Sequence, residues 1–276
     1  MNGGPFIRRV DSAAGRIMWR MNSAFIRRVA IAALMLTIAG LSASGVAGQQ
    51  RPLTITASDP LQAPLNELKP QLERAAGTTI AFHFGTSPTL QREIEGGAAF
   101  DVAILPPAAT TALRASGHIG APVALGQVGI GVGVRARTPH PDIRTVDAFK
   151  RTLASAASIT YVREGASRMG IEQLIEKLGL TAQMQPKTHL LAGYEEMAAS
   201  VSSGESALVL IPMSEIPLMR GVEVVGPLPK DIQSVVVFQG AASASSSNAA
   251  AAGAVLRALT SDAARATFRK NGFETP

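Results

Sequence analysis

Residues 79–105 read TIAFHFGTSPTLQREIEGGAAFDVAIL and carry the signals that decide the fold. The apolar and aromatic run 79–84 predicts a strand. Gly85-Thr86-Ser87-Pro88 ends that strand with residues typical of a turn and of the start of a helix. Residues 89–95 continue as the helix, and the run 101–105 predicts the next strand. A strand, a helix and a second strand in this order predict two parallel strands with the helix packed against them.

The same alternation of strand and helix signals extends along the chain from residue 53. Helical segments carry apolar residues at a spacing near 3.6, as in Leu61, Leu65 and Leu68. Gly179 before Leu180 predicts a helix end, with the glycine in the left-handed conformation and the leucine folded back. Such alternation is typical of α/β proteins with helices on both faces of parallel sheets. The other predicted strands cover residues 53–57, 128–134, 158–162, 207–211, 222–225 and 234–238.

Composition excludes several classes of protein. The chain has 276 residues, enough for one large domain or two of ordinary size. Hydrophobic residues make up 46% and charged residues 17%, so the chain is neither disordered nor a coiled coil. The absence of cysteine from the sequence excludes disulfides, thiolate metal sites and a cysteine nucleophile. An aromatic content of 4% argues against a base-stacking nucleic-acid surface.

Positive charge is concentrated at the start of the chain. Residues 1–48 contain six arginines and one acid, and without them the totals of 26 basic and 20 acidic residues fall to 20 and 19. This segment therefore contributes +5 of the net charge of +6, and the charge does not indicate a nucleic-acid partner. Arg27-Arg28, the apolar run 29–41 and the small residues up to 48 have the layout of a cleaved signal peptide, preceded by an over-extended start, 1–20. We expect an exported protein, periplasmic where the host has an outer membrane.

Three loops end a predicted strand and begin a predicted helix, and a fourth precedes the predicted helix 195–203. A helix N-terminus presents unpaired N–H groups and a partial positive charge, so several of them directed at one point can bind an anion without lysine or arginine. In open α/β sheets such loops gather at the carboxyl ends of the strands. A serine that only caps its own helix is the alternative interpretation of each loop. The four loops are Ser58-Asp59-Pro60, Thr86-Ser87-Pro88, Gly165-Ala166-Ser167 and Gly193-Tyr194.

The run Gly129-Ile130-Gly131-Val132-Gly133-Val134 has a glycine at every second position, so one face of this predicted strand is bare. Bare positions allow another backbone to approach closely. A dinucleotide-binding loop does not fit, because Arg135 follows where a helix should begin. We place the first crossing between two lobes in this strand and the return crossing in 234–238.

From about residue 53 onward the sequence resembles the exported substrate-binding proteins of molybdate and tungstate ABC importers. The resemblance implies an α/β, two-lobe type II periplasmic-binding-protein fold with hinge strands and a central ligand cleft. Residues 51–127 and 239–276 would form lobe I, and residues 128–238 lobe II. The residues that carry the resemblance are Ala57-Ser58, the helix 61–68, Phe84-Gly85-Thr86-Ser87, Leu90, Ile94, Gly97 and Asp101-Val102-Ala103.

The resemblance also implies a ligand site. Ser58 and Ser87 match the two serines that bind the oxyanion in that family. Ala166 matches a position that donates a backbone N–H, and Tyr194 takes the place of a second backbone donor. The further candidates for ligand binding in the same loops are Thr86, Ser167, Arg168 and Asp59.

Three residues depart from the family pattern. The segment with Pro212 and Glu215 corresponds to one that normally has a tyrosine and then an aspartate, so the tyrosine hydroxyl is missing. Asp59 replaces an apolar residue, and its carboxylate would repel a bound dianion unless it points away and caps its own helix. A different solute, such as an organic anion or an amine recognised by Asp59, is therefore an alternative ligand. A sensing module without a transport role is a second alternative.

The sequence thus predicts an exported protein that captures a small oxyanion such as molybdate and delivers it to the membrane permease of an ABC importer. We expect a monomer without a cofactor and without a metal site apart from the metal oxyanion itself. Signatures of hydrolases, P-loop proteins and zinc proteases are missing from the sequence, and the four histidines lack metal-ligand spacing. No catalytic residue is expected, and the chain is predicted not to be an enzyme.

Overall fold

The computed structural model describes Met1 and residues 51–276. The predicted signal peptide and the over-extended start lie, apart from Met1, outside the described residues. No helix in the described part of the chain combines the length and the apolar character that crossing a membrane requires.

The strands of residues 51–276 lie close to their predicted positions. The strand that contains the alternating glycines begins earlier than predicted, and two short strands, β6 and β10, are absent from the sequence prediction. The strands are β1 (Leu53–Ser58), β2 (Ile80–Gly85), β3 (Val102–Leu105), β4 (Val123–Arg135), β5 (Ile159–Val162), β6 (Thr188–Leu191), β7 (Leu208–Pro212), β8 (Val222–Pro227), β9 (Val235–Ala242) and β10 (Phe273–Glu274).

Helices alternate with these strands, as the α/β prediction requires. Short 3-10 turns add to them, among them Asp59–Leu61 directly after β1 and Ile216–Leu218 after β7. The α-helices are α1 (Gln62–Ala76), α2 (Ser87–Glu95), α3 (Pro107–Ala115), α4 (Val146–Ser155), α5 (Arg168–Lys177), α6 (Thr181–Met184), α7 (Tyr194–Ser203), α8 (Ala249–Leu259) and α9 (Asp262–Lys270).

The sheet has the order β2-β1-β3-β9-β4-β7-β5-β6, and β8 and β10 also pair with β4. Strands β1, β2 and β3 are parallel to one another, and so are β5, β6 and β7. Between these groups β4 is antiparallel to its neighbours and changes partner along its length. Residues 123–129 pair with β9, whereas residues 130–134 pair with β7. This change of partner supports the proposed division into lobes at residue 128, which stays a proposal.

The predicted apolar stripes form the core. The apolar face of α1 packs against β1. Its leucines are all buried, as is the leucine just before the helix: Leu61, Leu65, Leu68 and Leu72. Gly179 has a φ of 67°, and the N–H of Leu180 donates a 3.0 Å hydrogen bond to the carbonyl of Ile175. The predicted helix end with a left-handed glycine and a leucine folded back is confirmed.

The alternating glycines of β4 make room for the chain that follows β7. A Cβ atom on Gly131 would meet the sulfur of Met213 and come within 3.1 Å of Ile216. A Cβ atom on Gly133 would come within 2.7 Å of Val209 and 3.2 Å of Ile216. The bare face of β4 therefore allows the turn 213–216 to lie directly on the strand.

Candidate functional site

The carboxyl ends of the parallel strands meet at one small pocket. The register pairs Ser58 at the end of β1 with Gly85 at the end of β2, and Val162 at the end of β5 with Leu191 at the end of β6. Because each loop follows directly from its strand, the loops predicted to hold a ligand converge. Their cavity has a volume of about 30 Å³. Polar residues that line it are Asp59, Thr86, Ser87, Ser167, Tyr194 and Glu215.

Ser58 and Ser87 form the centre of the first wall. Their hydroxyl oxygens are 2.7 Å apart, so one hydroxyl donates to the other. The residues are 1% and 7% exposed, respectively. Ser87 lines the cavity, whereas Ser58 is not among the lining residues and lies within 3.5 Å of the Ile104 carbonyl. The structure thus brings the two predicted serines together, with Ser87 as the residue in contact with the pocket.

The helix starts at the pocket lack side-chain caps. Thr86 precedes α2, so Ser87 is the first residue of this helix and not its cap as predicted. No side chain caps the starts of the three helices α2, α5 and α7. The residues that precede these helices are, in the same order, Thr86, Ser167 and Gly193. Away from the pocket, Thr145 caps α4 by accepting a hydrogen bond from the N–H of Ala148. First-turn N–H groups at the pocket are thus left for a ligand, except that of Arg168 in α5, which donates to the carbonyl of Gly165 at 3.3 Å.

The opposite wall comes from the loops after β5 and β6. Ala166, Ser167, Gly193 and Tyr194 all line the cavity. Arg168, a further candidate for ligand binding, does not line the cavity. Its guanidinium donates to the carboxylate of Glu172 at 2.9 Å and to the carbonyl of Arg163, which hold it on its own helix. No lysine or arginine of the described residues lines this cavity.

Two carboxyl groups face the pocket in addition to the hydroxyls. Asp59 follows Ser58 directly, and burial raises its pKa from 3.8 to about 6, against a smaller lowering by His83. Glu215 is 6% exposed, and burial raises its pKa well above the usual range, with the charge of Asp59 as a second cause. Within residues 51–276 neither carboxyl takes part in an ion pair. Burial without a cationic partner makes the ionised form of each carboxyl less favourable than it is in water.

Two contacts connect the walls of the pocket. The hydroxyl of Ser214 donates a buried 2.8 Å hydrogen bond to the carbonyl of Pro60. At the surface, Arg92 of α2 forms a 3.0 Å ion pair with Glu164, in the loop after β5. The buried contact brings the neighbours of Asp59 and Glu215 together.

Glu215 is the pocket residue that the sequence prediction misses. Its position after β7 is visible in the sequence only as a departure from the family pattern, as is that of Asp59. The turn that carries it is set by hydrogen bonds from the N–H of Glu215 to the carbonyl of Pro212 and from the N–H of Leu218 to the carbonyl of Glu215, both 3.0 Å. The available signal was two acidic departures from the family pattern, each in a loop that follows a predicted strand.

A larger cavity of about 630 Å³ lies elsewhere, on the outer side of α5 and β6. Tyr161, Glu172, Met184 and Leu190 are among its walls. It contains none of the residues predicted to bind a ligand, and neither the serine pair nor the pair of buried carboxyls reaches it. Size alone therefore does not make it the functional site.

Comparison with known proteins gives a family and a fold. Residues 53–274 match the family model of the bacterial extracellular solute-binding proteins. A relative named aconitate isomerase, from a Pseudomonas species, is 30% identical over 223 residues, which cover 78% of this chain and 84% of that protein. The periplasmic molybdate-binding protein of Azotobacter vinelandii has a TM-score of 0.69 at 17% identity, over 81% of this chain and 99% of that chain. The sulfate-binding protein SubI of Mycobacterium tuberculosis H37Rv has a TM-score of 0.66 at 16% identity, over 82% and 87%.

The solved structures confirm the predicted fold class, the two-lobe α/β fold of type II periplasmic binding proteins. They do not fix the ligand, because one of them is named for molybdate and another for sulfate. At this level of identity the likeness concerns the fold alone.

The prediction that the chain is not an enzyme is wrong, because its relative at 30% identity over most of both chains is named as an isomerase. That prediction depended on missing nucleophiles, metal ligands and phosphate loops, which serve hydrolysis and phosphoryl transfer. An isomerisation that moves a proton between carbon atoms requires only a base and an acid. Carboxyl side chains can supply both.

Proposed function

The chain belongs to the bacterial extracellular solute-binding proteins, and from this membership we propose that it holds a small carboxylate anion in the pocket between Ser87 and Tyr194. The observation that carries this proposal is the meeting of the Ser58–Ser87 hydroxyl pair with three uncapped helix starts. Hydroxyls and first-turn N–H groups are donors that an anion accepts from.

The ligand class that we propose is an unsaturated polycarboxylate such as aconitate. Support comes from the isomerase relative, which is more similar in sequence to this chain than the molybdate-binding and sulfate-binding structures are. Pro212 also stands where the resemblance to molybdate-binding proteins implies a tyrosine donor. The oxyanion site that the resemblance implies has this tyrosine hydroxyl. The present pocket lacks it and contains two carboxyl groups, so it differs from that site in both respects.

The lobes must separate before such a ligand can enter. A cavity of about 30 Å³ corresponds to roughly the volume of one water molecule in the liquid, far less than a tricarboxylate needs. Two-lobe binding proteins admit their ligands by hinge motion of the lobes. We place the hinge at residues 129–130 of β4, where its partner changes from β9 to β7, and at the start of β9, which pairs with β4 at Gly129.

A small tetrahedral oxyanion is the second candidate ligand. The compact cavity and the 2.7 Å serine pair favour it, because both suit a compact anion with several acceptor oxygens. In either case we propose export to the periplasm through the signal peptide and delivery of the solute to the permease of an ABC importer.

A thermal-shift and calorimetry panel on the purified chain tests the proposal. The panel contains cis-aconitate, trans-aconitate, molybdate, tungstate and sulfate. A ligand at a hundredfold excess over its Kd stabilises the folded chain by about 2.7 kcal/mol, so the correct class raises the Tm clearly. We expect the aconitates to do so and the double variant Ser58→Ala/Ser87→Ala to abolish the effect.

The control for the double variant is Ser116→Ala/Ser155→Ala, since both of these exposed hydroxyls donate only to carbonyls of their own helices. Stabilisation by molybdate or tungstate alone would favour the second candidate. Stabilisation by no anion in the panel, or equal binding by the wild type and the Ser58/Ser87 variant, would contradict the anion site.

A further inference from the structure

The carboxyl groups of Asp59 and Glu215 reach one pocket from distant parts of the chain. Asp59 begins the 3-10 turn after β1, and Glu215 lies in the turn after β7. The hydrogen bond from Ser214 to the Pro60 carbonyl joins the residues next to them. The bare face at Gly131 provides the space that the turn 213–216 occupies. Both turns are thus held in place by packing on the scaffold.

The environment of these two groups is unlike that of a structural ion pair. Glu215 is 94% buried, as its 6% exposure implies, and within residues 51–276 no cationic side chain pairs with it or with Asp59. On β2, His83 lowers the pKa of Asp59 by a smaller amount than burial raises it. The ring nitrogen of His83 is 2.6 Å from the Glu93 carboxylate. No hydrogen bond among the described residues stabilises either carboxyl as an anion. An unpartnered carboxyl this deeply buried is costly to the fold and needs an explanation.

The two groups differ in burial and therefore in how strongly the protonated form is favoured. Asp59, whose pKa burial raises to about 6, is the more readily ionised of the two. Glu215 is more deeply buried and lies near the charge of Asp59, and both effects raise its pKa well above the usual range, which favours its protonated form. A base and an acid then face one ligand, the arrangement that proton transfer requires.

We propose that this pocket isomerises its carboxylate ligand by proton transfer, with Asp59 as the base and Glu215 as the acid. This inference rests on the proposed function, because it requires an unsaturated polycarboxylate in the pocket. The hydroxyl of Ser87 and the helix starts would hold ligand carboxylates, and the two acidic side chains would act on its carbon atoms.

The step conserves all atoms and electrons. The carboxylate of Asp59 removes a proton from the methylene group next to the ligand's double bond. This C–H bond breaks, an O–H bond forms on Asp59, and the released electron pair forms the new carbon–carbon double bond. The electrons of the old double bond form a C–H bond at its far carbon with the proton that Glu215 gives up. One proton then returns from Asp59 to Glu215, and no oxidant or reductant takes part.

Proton NMR in deuterated water tests the inference on the wild-type chain. With trans-aconitate or cis-aconitate as the probe, we expect the other isomer to form and deuterium to appear at the newly protonated carbon. Asp59→Asn and Glu215→Gln keep the shape of each side chain and remove its acid–base function. Each is expected to slow isomerisation by about 10²- to 10⁴-fold, the usual contribution of a general acid or base. Their affinity for aconitate should stay within a few-fold of wild type or increase, because each change removes a potential negative charge.

Matched controls separate this effect from a general loss of carboxylates. Asp142→Asn removes an exposed carboxylate held by Arg144, and Glu95→Gln removes an exposed one at the end of α2 that accepts from Gln91. Both controls should isomerise at the wild-type rate. If Glu215→Gln does not fold, Asp59→Asn alone carries the test, since Asp59 is only partly buried.

The outcomes distinguish the inference from the proposed function. A wild-type chain that binds aconitate but produces neither the other isomer nor deuterium exchange would overturn the inference and leave the binding proposal standing. Isomerisation by Asp59→Asn and Glu215→Gln within about twofold of the wild-type rate would also overturn it. A wild-type chain that binds neither isomer would contradict both.

Discussion

The hydroxyl of Ser214 donates a hydrogen bond of 2.8 Å to the carbonyl of Pro60, a residue 154 positions earlier in the chain. Both partners are buried, and each is next to one of the two acidic residues of the pocket. The bond joins the turn after β1 to the turn after β7, which pack on different parts of the sheet. The pocket thus depends on a hydrogen bond between a side chain and a backbone carbonyl that no local sequence pattern predicts.

Ser214→Ala removes this bond and leaves a buried carbonyl unpaired. We expect the free energy of unfolding to fall by about 1 to 3 kcal/mol, the cost of an unsatisfied buried group. Ligand affinity should fall as well, because the bond stabilises the form in which the walls meet. Urea titration and calorimetry measure the two effects. Ser116→Ala, at an exposed helix end, should change neither by more than about 0.5 kcal/mol; an equal effect of both variants would contradict a special role for Ser214.

Ser87→Ala is expected to weaken anion binding more than Ser58→Ala does. Ser87 lines the cavity, whereas Ser58 reaches it through its 2.7 Å contact with Ser87. A lost hydrogen bond to a charged ligand costs about 1.5 to 3 kcal/mol, which corresponds to roughly 10- to 100-fold in Kd. Calorimetric titration of each single variant gives the two values. A larger loss for Ser58→Ala would show that the hydroxyls exchange these roles when the ligand is bound.

Asp59 makes stability depend on pH in a defined direction. Burial raises its pKa from 3.8 to about 6. Between these values the folded chain binds a proton that the unfolded chain has released, so the free energy of unfolding falls as pH rises through this window. Asp59→Asn lacks this contribution, and its stability relative to wild type should therefore be greater near pH 7 than near pH 4. Urea titrations of both proteins at several pH values measure the difference, and a difference that is independent of pH would contradict the raised pKa.

Gly131→Ala places a methyl group where Met213 packs and within 3.1 Å of Ile216. The turn 213–216 must then shift, and overpacking of this kind costs about 1 to 3 kcal/mol. Because Glu215 lies in this turn, the isomerisation rate should fall together with the melting temperature. Gly120→Ala is the control, since its nearest neighbour is the Ala242 carbonyl at 3.8 Å. Equal melting temperatures for both variants would contradict the tight packing at Gly131.

Local sequence was sufficient to predict eight of the ten strands of residues 51–276, the helix faces and the loops of the pocket. Ser58 and Ser87 each follow a strand whose apolar pattern is clear, and parallel pairing of β1 and β2 brings the two loops together. The glycine repeat of β4 was interpreted as a place for another backbone to approach, but the atoms nearest to its missing Cβ positions belong to side chains, among them Met213 and Val209. Strand β10 was missed because two residues are too few for a pattern. Strand β6 has four residues, as β3 and β5 do, but its sequence THLL is only half-buried and has one β-branched residue, whereas VAIL and ITYV are fully buried and richer in such residues.

The acid pair could not be derived in the same way, because its geometry depends on long-range packing. Asp59 was interpreted as a cap or a further ligand-binding residue, and Glu215 as a departure from a family pattern. What makes them a pair is the crossing strand β4, which supports the turn of Glu215, and the bond between Ser214 and Pro60. Both are contacts between residues far apart in sequence. The expectation of a non-enzyme was based on missing motifs of hydrolysis and phosphoryl transfer, and the relative named as an isomerase contradicts it.

The small volume of the pocket also has a consequence for the rates at which the proposed ligand enters and leaves. Because a cavity of about 30 Å³ is too small for a tricarboxylate, the proposed ligand can enter or leave only when the walls move apart. Each event of uptake or turnover then includes one such movement, and its frequency limits throughput however quickly the proton is transferred. A chain that opens rarely is consequently a slow catalyst and, at the same time, a carrier with a long residence time for its cargo.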